Sequence, residues 1–61
     1  MKYKNGDKVV TTGRIPQDRT MAVKAGLKGI VLGNDTDGKY KVAMEGETLP
    51  WYLAENEIEL A

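Results

Sequence analysis

Apolar and polar residues alternate most cleanly over residues 39–44, where Tyr40, Val42 and Met44 fall on one side and Lys39, Lys41 and Ala43 on the other. A period of two is that of a strand with one face buried. The same period runs through the preceding apolar segment: Leu27, Gly29 and Val31 share one face, Lys28, Ile30 and Leu32 the opposite one. The pattern predicts strands over Lys28–Leu32 and Lys39–Met44, joined by a turn-rich Gly33–Gly38. A two-stranded hairpin is marginal alone, so the flanking segments must close against it. Gly29 within a strand points to a sharp bend or a close backbone approach.

Three further strands are legible around that hairpin. Asn5-Gly6 is a turn dipeptide that leads the chain into Lys8–Thr12, whose valines and threonines suit a pleated surface. After a tight Glu45-Gly46-Glu47 connection, Thr48–Leu53 places Leu49, Trp51 and Leu53 on one face and Tyr52 on the other. Pro50 has no N–H for a ladder, which makes this strand an edge or distorts it there. Ala54–Glu57 reads as a single turn before a short last strand through Ile58 and Leu60. The expected core is Val9, Leu27, Val31, Tyr40, Val42, Met44, Leu49, Trp51, Leu53, Ile58 and Leu60.

Between Gly13 and Ala25 the alternation fails. Here Asp18 or Thr20 offers a cap for one helical turn through Met21–Ala25, with Gly26 as its stop. Loops this long in small domains tend to carry function. Two readings follow: Arg14, Ile15, Arg19 and Met21, with Tyr52 as aromatic neighbour, form a binding face; or Ile15, Met21 and Val23 fold down to seal the barrel. Arg and Met are enriched at protein interfaces, which favours a protein partner under the first.

The chain of 61 residues makes one domain, with residues 1–5 as an N-terminal arm and 13–25 as the long loop. It has no Cys and no His, which excludes disulfides and the common zinc sites and leaves no side chain of near-neutral pKa. No segment resembles a targeting signal or a membrane span, so a cytoplasmic protein without membrane association is expected. Net charge is zero but unevenly spread. Residues 1–32 hold seven of the nine basic side chains, and residues 33–61 hold seven of the nine acids. Mutual neutralisation across neighbouring strands is the plain explanation; separate basic and acidic docking faces are the sharper one.

No catalytic constellation stands out, and neither cofactor nor metal is implied. Asp35-Thr36-Asp37-Gly38 has the opening of a calcium loop, but Met44 occupies the position of the closing bidentate acid, so a hairpin turn is expected. Glu45 with Glu47, and Glu55, Glu57 and Glu59, read as solvated acids at strand ends.

Five short strands with Gly-rich turns make an all-β small barrel. In its order of parts the chain resembles SH3-like barrels of bacterial type: Gly6-Asp7-Lys8-Val9, a long first loop, Gly29-Ile30-Val31, and a final turn before Glu57-Ile58-Glu59-Leu60. It is similar to KOW domains of ribosome- and transcription-associated proteins, to the small barrel subunit of photosystem I, and to short SH3-like domains of phages and mobile elements. The resemblance implies a five-stranded SH3-like barrel and a small non-catalytic module that binds a protein. The KOW likeness implies nucleic-acid or ribonucleoprotein binding as the alternative. Arg14 and Arg19 stand in a first loop without an aromatic residue, so recognition of PxxP ligands is not implied. KOW domains that bind RNA tend to be strongly basic, and this chain is neutral.

Overall fold

A computed structural model describes residues 2–34 and 37–61. Five strands appear in order, β1 (Lys8–Thr11), β2 (Lys28–Asn34), β3 (Tyr40–Met44), β4 (Trp51–Leu53) and β5 (Ile58–Leu60), with a 3-10 turn at Glu55–Glu57 between the last two. They form one antiparallel sheet in the order β4-β3-β2-β1-β5. All five strands send a buried residue to one side, and a single sheet achieves this only by curling around its own core.

The core follows the expected alternation in β2 and β3. Val31, Tyr40, Val42 and Met44 are buried, while Lys28, Ile30, Leu32, Lys41 and Ala43 face outward. Val9, Leu53 and Ile58 join them from β1, β4 and β5, with Leu27 and Trp51 partly buried against them. Of the bend or close approach expected at Gly29, the structure shows the close approach. A Cβ there would lie 2.7 Å from Val42 Cγ1, 2.8 Å from Met44 Sδ and 2.9 Å from the Ala43 carbonyl oxygen. Pairing between β2 and β3 shifts register between Val31 and Gly33, placing a bulge at Leu32. Asn5-Gly6 turns as expected, with Asp7 N–H donating to the Lys4 carbonyl and Gly6 N–H to the Val31 carbonyl.

Two expected core residues lie outside it. Leu49 is 75% exposed because β4 begins only at Trp51; Pro50 cannot extend the ladder, so the alternation does not reach back to Leu49. Leu60 is 62% exposed: it pairs with buried Val9 but ends the edge strand, with nothing paired to its far side. Conversely, Tyr3 of the N-terminal arm is a core residue. Its ring meets that of Tyr40 edge-on, with centroids 5.2 Å apart. The Tyr3 hydroxyl donates to the Ile58 carbonyl, and the Tyr40 hydroxyl accepts from the N–H groups of Lys2 and Tyr3. No described helix is long and apolar enough to cross a membrane.

Candidate functional site

The long loop leaves β1 at Thr11 and re-enters the sheet at Lys28. Its neck is stitched by one buried residue. Thr11 Oγ1 donates to the Lys24 carbonyl at 2.6 Å and accepts from Leu27 N–H at 2.9 Å, while the Thr11 carbonyl accepts from Gly26 N–H. At the same neck Gly13, at φ +80°, lies where a Cβ would come within 3.0 Å of Ala25 Cβ. Residues 21–25 form no helical turn: the chain bends at Met21 and turns at Ala25-Gly26. The Lys24 carbonyl is instead committed to the Thr11 hydroxyl, and the Gly26 N–H that follows to the Thr11 carbonyl.

Further out, the loop is fastened to the 3-10 turn. Thr12 Oγ1 donates to the Asn56 carbonyl, Thr12 N–H to the Glu57 carbonyl, and Asn56 Nδ2 to the Ile15 carbonyl. Arg19 closes the set with an ion pair to Glu57. Glu57 is therefore not the solvated acid expected from its neighbours. It is 1% exposed, and the carboxylate oxygen that receives Arg19 also accepts from Ala54 N–H. A second ion pair joins Asp18 to Lys39, and the hydrogen bond from the Lys39 ammonium holds the Asp18 carboxyl below its ordinary value.

The five expected binding residues thus separate into different roles. Arg19 is engaged by Glu57. Arg14 is exposed and borders a cavity of about 240 Å³ with Lys2, Glu55 and Glu59. Ile15 and Met21 are 57% and 77% exposed. Tyr52 projects from the outer face of β4 opposite Lys41 and is 48% exposed, as expected with Trp51 turned inward. Among the described residues Tyr52 shares no hydrogen bond, ion pair or cavity with the loop. Of the three residues expected to seal the barrel, Val23 packs against the core while Ile15 and Met21 stay exposed, and Pro16 is fully buried beside them in the loop.

Between the loop, the 3-10 turn and the approach to β3 lies a polar cleft of about 510 Å³ lined by Gln17, Asp18, Asp37, Lys39, Glu55 and Asn56. Among the described residues no three His, Cys, Asp or Glu gather as a metal site. The hairpin turn expected at Asp35–Gly38, and with it the calcium-loop comparison, lies partly outside the described residues. Both described ion pairs join a residue of the first half to one of the second, but only Arg19–Glu57 sets a base of the basic half against an acid of the acidic half; Asp18–Lys39 pairs the minority charge of each. No family model, curated protein or solved structure matches the chain.

Proposed function

We propose that the chain is a small, non-catalytic protein-interaction module of the SH3-like kind its sequence resembles, comparable to accessory proteins of phages and mobile elements. The long loop receives the protein partner. One observation carries this reading: the loop is fastened at its neck by Thr11 and along its length by Asn56 and Glu57, yet it holds Ile15 and Met21 out in solvent. Ordering a loop in advance lowers the entropic cost of binding. Apolar side chains on an ordered loop that add nothing to the core are what a partner surface uses.

The two loop arginines do not favour the nucleic-acid alternative. Arg19 is spent on Glu57, and Arg14 shares its cavity with Glu55 and Glu59. Phosphate binding needs cations that are free to displace counterions. The test is affinity capture from nuclease-treated bacterial lysate, comparing the parent chain with an Ile15→Ser/Met21→Ser variant. Retained proteins should survive nuclease and be lost with the variant, whose melting midpoint stays unchanged. Capture that disappears with nuclease would instead establish the nucleic-acid reading.

A further inference from the structure

The outer face of the sheet carries a second cluster, distinct from the loop. Two neighbouring rows cross it. One runs Lys8, Ile30, Ala43 over β1, β2 and β3; the other joins Lys41 of β3 to Tyr52 of β4, with Gly33 as the β2 partner of Lys41 and Leu32 beside it in the bulge. Ile30, Leu32 and Tyr52 are 43%, 44% and 48% exposed, and Ala43 is exposed between them. Single exposed apolar residues are ordinary, but these four share the outer face of three adjacent strands, with Ile30 and Ala43 directly paired. Lys8 and Lys41 interrupt the apolar area, and neither makes an ion pair among the described residues. Neither row contains an acid; Glu45 lines one cavity with Lys8, Lys28, Ile30 and Ala43, where the two lysines outnumber it, and Glu59 faces Val10.

From this arrangement we infer that the face docks an acidic protein segment bearing apolar side chains, whose carboxylates meet Lys8 and Lys41 while its apolar groups cover Ile30, Leu32 and Ala43. Charge decides against a second copy placed symmetrically on the same face, since that would set lysines near lysines. Aliphatic side chains decide against single-stranded nucleic acid, which stacks on aromatic rings, and Tyr52 is the one ring here. The inference rests on the reading of the chain as an interaction module, but it uses a different face, so the two fail separately.

The test is an amide NMR titration of the labelled chain with three probes: a soluble peptide alternating Glu and Leu, an oligo-glutamate of equal charge, and an oligo-dT. The Glu-Leu peptide should shift the amides of Ile30, Leu32, Lys41, Ala43 and Tyr52. A Lys8→Glu/Lys41→Glu variant should weaken it by about tenfold or more, with an unchanged melting midpoint. Tyr52→Ala should weaken it as well, and Ile15→Ser/Met21→Ser should leave it intact. Three results would overturn the inference: no shifts on this face, equal binding by oligo-glutamate, or tighter binding by oligo-dT. Loss of binding in the loop variant would do the same, because it would place the peptide on the loop.

Discussion

At Gly29 the missing side chain is what lets β2 lie close against β3. A methyl group there would meet Val42 Cγ1, Met44 Sδ and a backbone oxygen, all inside 3.0 Å, and the backbone oxygen cannot rotate away. Gly29→Ala should therefore cost about 1–3 kcal/mol, read as a lowered denaturation midpoint; an unchanged midpoint would mean the strands separate there without penalty. Thr11 is the polar counterpart. Its buried hydroxyl both donates and accepts, so Thr11→Val leaves a carbonyl and an N–H unmatched. The expected loss is about 1–3 kcal/mol, with faster amide exchange at Leu27. Gly29 was legible in the sequence because glycine inside a strand is unusual. Thr11 was not, because a threonine in a strand is unremarkable on propensity alone and its partners lie 13 and 16 positions away.

The long loop and the 3-10 turn behave as one element. Arg19 is the side-chain latch between them, and removing it leaves the Glu57 carboxylate buried without a cation. Arg19→Met should cost about 1–3 kcal/mol, whereas Arg14→Met, which breaks no described ion pair, should stay within about 0.5 kcal/mol. Equal midpoints for the two variants would show that the latch contributes nothing. The Asp18–Lys39 pair gives the loop a pH dependence of known sign. A carboxyl depressed in the folded state stabilises it above the unfolded value and loses that contribution as pH falls through the folded one. The Asp18 carboxyl resonance should titrate below 3.8, and Lys39→Met should raise its midpoint; an unmoved midpoint would show that Lys39 does not hold it down. None of this pairing was readable from the alternating acids Glu55, Glu57 and Glu59. Within the 3-10 turn the chain changes direction, so that Glu57 turns in while Glu55 and Glu59 stay out.

On the scale of the whole molecule, the strand pattern carried the five-stranded all-β architecture, since alternation in residues 27–32 and 39–44 is local. What it could not carry is closure by residues far apart in sequence. Tyr3, from a five-residue arm with no periodicity of its own, reaches Tyr40 and Ile58, at separations of 37 and 55 residues. It thereby fastens the N-terminal arm to the central hairpin and to the last strand. A domain of this size retains roughly 3–5 kcal/mol of net stability. Truncating a buried aromatic side chain costs about as much, so Tyr3→Ala should leave the chain largely unfolded at room temperature, with collapsed amide dispersion in its NMR spectrum. Tyr3→Phe keeps the ring against Tyr40 and loses only the hydrogen bond to the Ile58 carbonyl, so it should remain folded with about 1 kcal/mol less stability. The contrast between the two variants separates packing from hydrogen bonding. A Tyr3→Ala chain that keeps its dispersion and its midpoint would show that the arm rests on the barrel without holding it closed.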